Sequence, residues 1–371
     1  MYVMRMIRRP GLLFLLLFPF ISACSLFAPK PHQDIFYPSD PLPPRIQFLT
    51  TFSSPNDLLN EDGGGLSSFI LGEEGTKDAA IDKPYGLDIH KGVIYVVDIR
   101  GPGYAKFDLA GKKFDFVYGS FSGKMKKPIN ISFDEAGNKY IADIERGQIT
   151  VFDQKDDYVR SYIDGDDFKP SDVVVTKDKL FVTCIEHHQV HVFDRQSGKK
   201  IQSIGKEGSK DGELFYPSNL ELGPEGHLYI SETGNYRVQK VTQSGKFLQT
   251  FGKVGMGLGN FARPKGIAVD RDGRIYVVDA AFENVQVLDK EGKLLMFFGE
   301  PGYARGTINL PAAIAIDYDN VSYFKKYAHP EFDIEYIILV ASQFGRNKVN
   351  VYGFGKKKGM DYSEIGRNGG Q

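Results

Sequence analysis

Short apolar runs alternate with Gly- and Asp-containing turns along most of the chain, and the pattern restarts at regularly spaced prolines. These are Pro84, Pro128, Pro170, Pro217, Pro264 and Pro311, at spacings of 44, 42, 47, 47 and 47 residues. In the fifth copy, four segments of strand length follow the proline, at 266–270, 274–279, 284–289 and 293–298. Hairpin-type turns such as Asp272-Gly273 separate them. A repeat of this length, built from short strands, predicts the four-stranded antiparallel blades of a β-propeller.

The sixth copy lacks its fourth strand, and a segment near the start of the chain resembles the missing one. Residues 48–52 (FLTTF) match residues 247–251 (FLQTF) of the fourth copy at four of five positions. Because an open ring would leave a strand edge unpaired, we expect the N-terminal strand to complete the last blade. The sequence therefore predicts an all-β, six-bladed propeller over residues 45–355, followed by a polar, disordered tail at 356–371.

The repeats resemble the NHL repeat. The resemblance is carried by GLGNFARPKGIAVD at 257–270, GRIYVVD at 273–279, NVQVLD at 284–289 and FFG at 297–299, and weaker copies extend it over residues 45–355. It implies the propeller fold. It implies no single activity, because similar propellers serve as protein-binding platforms, RNA binders, lyases and lactonases.

The first 23 residues are typical of an export signal. Three arginines precede the apolar segment 11–21, which is too short to span a bilayer, and Ile21-Ser22-Ala23-Cys24 follows. This ending resembles the lipobox of bacterial lipoproteins, which implies cleavage after residue 23, acylation of Cys24 and, with Ser25 next, sorting to the outer membrane. The alternative is an ordinary secretory signal with a chance cysteine. Residues 24–44 are rich in proline and predict an extended tether between lipid and propeller.

The charge, the cysteine content and the motifs absent from the sequence argue against several classes of function. Without residues 1–23 the chain has 43 basic and 47 acidic side chains, so there is no basic field to attract nucleic acid. Cys24 and Cys184 are its two cysteines, and acylation of the first would leave the second without a partner. Neither a nucleophile elbow nor a P-loop is present, and no Ser–His–acid set would converge in a propeller.

One candidate site lies two residues after each starting proline, where the innermost strand should face the central channel. Gly is usual in the resembling repeats, but three successive copies carry Asn130, Asp172 and Asn219. Their oxygen atoms suit a hard cation such as Ca²⁺, and six-bladed lactonases of similar architecture use a channel metal. The alternative is that these side chains bind water and backbone groups.

Two further sets of polar residues occur in and after the second strand of each copy. Asp98, Asp143, Cys184, Glu232, Asp279 and Ser342 end that strand, and their repetition predicts a structural role in accepting backbone N–H groups of the next turn. Cys184, His188 and His191 suggest a soft-metal site for Zn or Cu. Alternatively, the repeat accounts for each of these three residues separately.

The sixth copy also contains an insertion at 318–335, with Tyr323, Phe324, Tyr327 and Phe332. We interpret these aromatics either as a contact surface for a protein partner or as a loop folded over the propeller. Together these features predict a non-enzymatic, lipid-anchored binding or scaffold protein of the bacterial envelope, with protein partners and no required cofactor. The alternative is a Ca²⁺-dependent hydrolase or lyase resembling lactonases.

Overall fold

Six antiparallel blades of four strands each, the last extended by a short fifth strand, surround a central channel in the computed structural model, which describes residues 34–59 and 80–363. Each starting proline is the first residue of the innermost strand, and we label the strands of a blade a to d from the channel outwards. The prediction of a six-bladed β-propeller is confirmed.

The first five blades follow chain order. Blade one contains β3 (Pro84–His90), β4 (Val93–Asp98), β5 (Gly103–Asp108) and β6 (Lys113–Val117). Blade two contains β7 (Pro128–Phe133), β8 (Lys139–Asp143), β9 (Gln148–Phe152) and β10 (Tyr158–Tyr162). Blade three contains β11 (Pro170–Val175), β12 (Lys179–Cys184), β13 (Gln189–Asp194) and β14 (Lys200–Ile204). Blade four contains β15 (Pro217–Leu222), β16 (Leu228–Glu232), β17 (Arg237–Val241) and β18 (Phe247–Phe251). Blade five contains β19 (Pro264–Val269), β20 (Ile275–Asp279), β21 (Asn284–Leu288) and β22 (Leu294–Phe298).

The sixth blade is built from both ends of the chain. Its inner strands are β23 (Pro311–Asp317), β24 (Phe332–Ser342) and β25 (Val349–Lys357), and its outer strand is β2 (Ile46–Phe52). Phe48 lies opposite Tyr352 and Phe52 opposite Val349 in this pairing, which confirms the predicted closure by an N-terminal strand. A two-residue strand, β1 (Phe36–Tyr37), adds to the outer edge.

The hydrophobic core is a ring of six clusters, each lying between two neighbouring blades. The cluster at the closure joins Leu49 and Phe52 of β2 to Leu87, Ile94 and other side chains of blade one. Burial between adjacent sheets is the main contribution to stability, so the closing strand holds the first and last blades together.

Helices are short. The helix α1 (Val321–Phe324) and the 3-10 turn Lys325–Tyr327 lie in the insertion of blade six, and 3-10 turns also occur at Pro55–Leu58 and Phe121–Gly123. In the part of the chain that the structure describes, no helix has the length and hydropathy needed to cross a membrane.

The antiparallel order of the strands divides the connections between two faces. The start of strand a pairs with the end of strand b, as Pro84 does with Asp98. The d–a connections and the b–c turns therefore share one face, which we call the loop face. The a–b and c–d turns form the opposite face, where glycines with positive φ, such as Gly226 at 75° and Gly273 at 81°, permit tight turns.

Candidate functional site

The inner strands line a channel cavity of about 260 Å³. Asn130, Asp172 and Asn219 all line it, as the sequence predicted for the second residue after each proline, and all three side chains are more than nine-tenths buried. The inner strands of blades one and two lie close together at Gly86 and Asn130. A Cβ atom added to Gly86 would clash with Asn130 Oδ1. The three larger polar residues therefore fill positions where other blades carry Gly or Ala.

Asp172 is the best-connected residue of this group. Its Oδ1 accepts the N–H of Val173 at 2.8 Å, and its Oδ2 accepts the N–H of Leu220 at 2.9 Å and the Asn219 amide at 3.3 Å. It thus links the inner strands of blades three and four. Burial raises the pKa of Asp172 to about 7, even though these hydrogen bonds favour the ionised form.

Two further carboxylates line the same cavity, and the sequence analysis missed them. Asp88 and Glu221 both lie four residues after a starting proline, two residues beyond the position considered in the sequence analysis. Burial, together with the charges of Asp172 and Asp317, raises the pKa of Asp88 to about 7. Burial and the charges of Asp88 and Asp172 raise the pKa of Glu221 well above its usual value. Side chains two residues apart in a strand lie on the same face, so inspecting the fourth residue after each proline would have found both residues.

The channel therefore brings three carboxyl groups together, and the described residues supply them with no counter-ion. Among the described residues, no Lys or Arg forms an ion pair with Asp88, Asp172 or Glu221. The Oδ1 of Asn219 is buried in the same wall without a hydrogen-bond partner. Carboxylate and amide oxygens in this arrangement suit a hard cation or the donor groups of a polar ligand.

The residues that end strand b have the structural role that their repetition predicted. Asp279 accepts backbone N–H groups from Ala262 and Arg263 before its blade and from Ala281 and Phe282 in the following turn. Asp98 and Asp143 make equivalent bonds, and Glu232 accepts from Phe215 N–H and from the Arg237 and Gln239 side chains. In their own blades, these carboxylates connect the b–c turn to the incoming d–a connection.

The histidine cluster of blade three differs from the predicted set by one residue. Cys184, His187 and His191 present one candidate ligand atom each, all within 4.8 Å of one another. His188 lies apart from them: it packs on Phe215 and Tyr216, and its Nδ1 accepts the Tyr216 N–H at 3.1 Å. Burial, with a contribution from the Lys200 charge, lowers the pKa of His191 to about 4, so this imidazole is neutral at neutral pH.

The aromatic insertion of blade six folds over the propeller. Phe324 is fully buried against Phe52 and the cluster between blades six and one, and Phe332 is 2% exposed. Tyr323 and Tyr327 are half-buried against the same cluster. Phe324 and Phe332 correspond to the covering loop, the second of the two interpretations, because a partner does not reach buried rings, whereas partner contact by Tyr323 and Tyr327 stays a prediction.

Exposed apolar side chains collect instead on the loop face. Within the described ranges, its d–a connections and b–c turns carry eleven large apolar residues that are exposed: Leu59, Tyr118, Phe121, Ile163, Tyr216, Tyr236, Val254, Met256, Leu258, Tyr303 and Phe344. The exposed fractions of Phe121, Tyr303 and Met256 are 96%, 90% and 84%. Among the described residues, the a–b and c–d turns of the opposite face carry no exposed side chain of this kind.

The structure describes only part of each terminal segment. Cys24, the signal segment 1–23 and the first part of the tether lie outside the described residues. At the other end, β25 continues to Lys357, and the Tyr362 hydroxyl accepts the Lys357 N–H and donates to the Pro44 carbonyl. The chain therefore packs against the propeller for several residues beyond 355, where the sequence predicted a disordered tail.

Comparisons with known proteins agree with this architecture. The family model of the NHL repeat matches residues 261–288, which include most of blade five, so the resemblance to that repeat is confirmed. No curated protein matches the chain.

Solved propellers resemble the chain at low identity. Virginiamycin B lyase from Staphylococcus aureus is 16% identical with a TM-score of 0.51, over 74% of this chain and 95% of that one. An auxiliary nutrient binding protein from Bacteroides thetaiotaomicron is 13% identical with a TM-score of 0.57, over 74% and 69%. A gluconolactonase from Xanthomonas campestris is 15% identical with a TM-score of 0.54, over 74% and 86%. These similarities establish the fold alone.

Proposed function

We propose that this chain is a non-enzymatic binding protein of the bacterial cell envelope, held at the outer membrane by a lipid on Cys24, whose loop face docks a protein partner. The observation that carries the proposal is the one-sided distribution of exposed apolar side chains. A concentration of exposed large apolar side chains on one face of a protein is a candidate interaction surface. Aromatic side chains and Met, which dominate this face, are enriched in protein interfaces.

The breadth of the patch favours a protein over a small molecule as the partner. Its residues come from all five d–a connections that the structure describes in full, so they are distributed around the ring. Small ligands bind in enclosed, concave pockets, whereas a broad surface with large apolar side chains on several loops matches a protein interface. The rigid ring fixes the positions of the loops, which lowers the entropic cost of docking.

The test is site-specific crosslinking in cells of the full chain, with photoreactive residues at positions 121, 256 and 303. We expect one partner to crosslink from these positions, and the triple variant Phe121→Ser, Met256→Ser, Tyr303→Ser to recover at least tenfold less of it. The matched control carries Ile201→Ser, Leu248→Ser and Leu295→Ser, which are exposed on outer strands. Absence of a specific crosslink, or equal losses in both triple variants, would contradict the docking surface.

The lipid anchor has its own test, because Cys24 is independent of the loop face. Several acyl chains hold a protein far more firmly than one. We expect the wild-type chain to fractionate with outer membranes and to incorporate labelled palmitate, and Cys24→Ser to lose both. A wild-type chain recovered in the soluble envelope fraction without label would refute the anchor and leave the docking proposal standing.

A second candidate function is that of a Ca²⁺-dependent hydrolase or lyase acting in the channel. The observation that favours it is the convergence of Asp88, Asp172 and Glu221 with the unpartnered Asn219 Oδ1. The sequence alone offered a single carboxylate, and the two additional ones supply the charge that a Ca²⁺ site requires. Carboxyls with raised pKa values are also suited to proton transfer near neutral pH.

Calorimetric titration of the full chain with Ca²⁺ near neutral pH tests this candidate. We expect one Ca²⁺ per chain in the wild type, binding at least tenfold weaker in Asp172→Asn, and unchanged binding in Asp115→Asn, which alters an exposed carboxylate of β6. Binding that is absent from the wild type would refute the cation site. Binding without any Ca²⁺-stimulated cleavage of lactones would refute only the catalytic part.

A further inference from the structure

Blade three brings a thiol and two imidazoles together at the loop face. Cys184 is the last residue of β12, and His191 lies in β13 opposite Val182. The turn between these strands folds His187 back over His191, so that their rings stack with centroids 5.0 Å apart and planes at 11°. His187 Nδ1 and His191 Nε2 then face each other at 3.2 Å, with Cys184 beside them.

A carboxylate lies next to the outer nitrogen of each ring. Asp167 Oδ2 is 3.0 Å from His187 Nε2, and Asp164 Oδ2 is 2.8 Å from His191 Nδ1, although at a poor hydrogen-bond angle. Lys200 Nζ, 2.6 Å from Asp164 Oδ2, holds that carboxylate in place. Carboxylates so placed favour the N–H on the outer nitrogens. The inner nitrogens are then two lone pairs in contact, an arrangement that requires a proton or a metal ion between them.

The geometry matches the way proteins hold thiolate-binding metals. Metal-bound histidines commonly donate their other N–H to a carboxylate, which fixes the ring orientation and strengthens the ligand. Two nitrogens bound to one tetrahedral Zn²⁺ lie about 3.3 Å apart, given Zn–N bonds of about 2.0–2.1 Å. The observed 3.2 Å between His187 Nδ1 and His191 Nε2 needs almost no change.

The position of Cys184 in the blade favours an anion. In blades one, two and five the equivalent residue is an aspartate that accepts backbone N–H groups. The backbone N–H groups of Lys169, Glu186 and His187 also act on Cys184, where they lower the pKa of the thiol. Burial raises the pKa of the free thiol, but a bound metal ion deprotonates a coordinating thiol, and these N–H groups then stabilise the thiolate.

We propose that Cys184, His187 and His191 bind one thiolate-preferring d¹⁰ ion, Zn²⁺ or Cu⁺, with Asp164 and Asp167 as outer partners of the imidazoles. Binding releases the thiol proton of Cys184 to solvent and forms one metal–sulfur and two metal–nitrogen bonds. Cys184 and His191 are fully buried, whereas 26% of the His187 side chain is exposed. The ion therefore enters past His187, which leaves a coordination position open on the loop face.

The repeat supplies substitutions that keep the fold and remove the ligands. At the position of His191, blades four and five carry Gln239 and Gln286, each of which hydrogen-bonds to the incoming d–a connection. At the position of His187, blade four carries Asn235. The variants His191→Gln and His187→Asn, together with Cys184→Asp, therefore place residues that neighbouring blades already accommodate.

The test measures metal binding by the full chain under reducing conditions. We expect native mass spectrometry to find one Zn²⁺ or one Cu⁺ per chain, and the separate titrations to identify the preferred ion. Co²⁺ in place of Zn²⁺ should give a thiolate charge-transfer band. His187→Asn and His191→Gln should weaken binding at least tenfold, Asp164→Asn by about 10-fold to 100-fold, and Cys184→Asp should abolish the band.

His188→Ala is the matched control, because His188 adjoins the site without contributing a ligand, and Cys24→Ser excludes binding at the other thiol. Both should bind the metal like the wild type. A wild-type chain that binds none of the three ions stoichiometrically would overturn the proposal. So would a charge-transfer band that persists in Cys184→Asp, or an equal loss in His188→Ala. Circular dichroism of each variant separates loss of binding from loss of fold.

Discussion

The carboxylates in the channel should make the protein less stable as the pH rises. The pKa of Asp88 is about 7 in the folded protein, against 3.8 as its ordinary value. Between these values the folded protein keeps a proton that the unfolded chain has released. The free energy of unfolding therefore falls as the pH rises through this window and becomes level above about pH 7. A carboxylate with a lowered pKa would have the opposite effect.

The substitution Asp88→Asn isolates this contribution. Among the described residues, the Asp88 side chain accepts one hydrogen bond, from the N–H of Ile89 at 2.8 Å from Oδ1, and an asparagine Oδ1 can accept the same bond. Each unit of pKa shift corresponds to about 1.4 kcal/mol, so a shift of about three units sets a ceiling of about 4 kcal/mol. Asp88 is partly open to the channel and coupled to Asp172, so solvent screening lowers the expected gain to about 2 kcal/mol.

The assay is urea unfolding of the wild type and of Asp88→Asn at several pH values between about 5 and 8. The difference between the two chains should grow with pH and level off above about pH 7. The contribution of His191, whose lowered pKa acts in the opposite direction, cancels in this difference because both chains carry it. Asp115→Asn, an exposed carboxylate, is the control and should show no such slope. A difference that stays constant with pH would refute the reasoning.

Three further substitutions test the architecture by chemical denaturation. Asp279→Ala leaves four backbone N–H groups without their acceptor and should cost about 2–4 kcal/mol, whereas Asp289→Ala, in an exposed turn, should cost less than about 1 kcal/mol. Phe52→Ala removes a fully buried ring at the closure and should cost about 3–5 kcal/mol; a loss below about 1 kcal/mol would contradict closure by β2. Tyr336→Phe removes a buried hydroxyl that contacts Asp270 and Tyr276 and should cost about 1–3 kcal/mol, and an unchanged urea midpoint would count against that network.

The sequence predicts the fold well because the blade is a local unit that recurs. Strand positions, turns and the role of Asp98, Asp143 and Asp279 all follow from comparing one copy with the next. The closure by 48–52 is a long-range pairing, yet it was predictable because that segment matches a complete outer strand. What recurs is imposed by the geometry of the blade, so alignment of the copies is enough to predict it.

The errors in the predicted site residues concern the directions of side chains, which an alignment of the copies does not give. His188 has a φ of 53°, and Tyr236 and Glu283 have φ values of 57° and 53° at the same place in their turns. This left-handed residue reverses the chain, so the residue before it, His187, folds back onto the strand. Spacing along the sequence gives no sign of this reversal. Asp88 and Glu221 were missed for a different reason: we considered only the second residue after each proline, although residues further along the inner strands also line the channel.

The proposed metal site uses, at Cys184, a position that the fold needs for another purpose in the other blades. The end of strand b must accept backbone N–H groups, and aspartate fulfils that need in three blades through its charge. A cysteine meets the same need fully only as a thiolate, which burial disfavours for the free thiol. A cation bound at the proposed site would accompany the sulfur as a thiolate, and the two imidazoles lie beside it. We therefore expect metal binding and blade stability to be coupled here, with saturating metal raising the unfolding free energy of the wild type by more than that of Cys184→Asp.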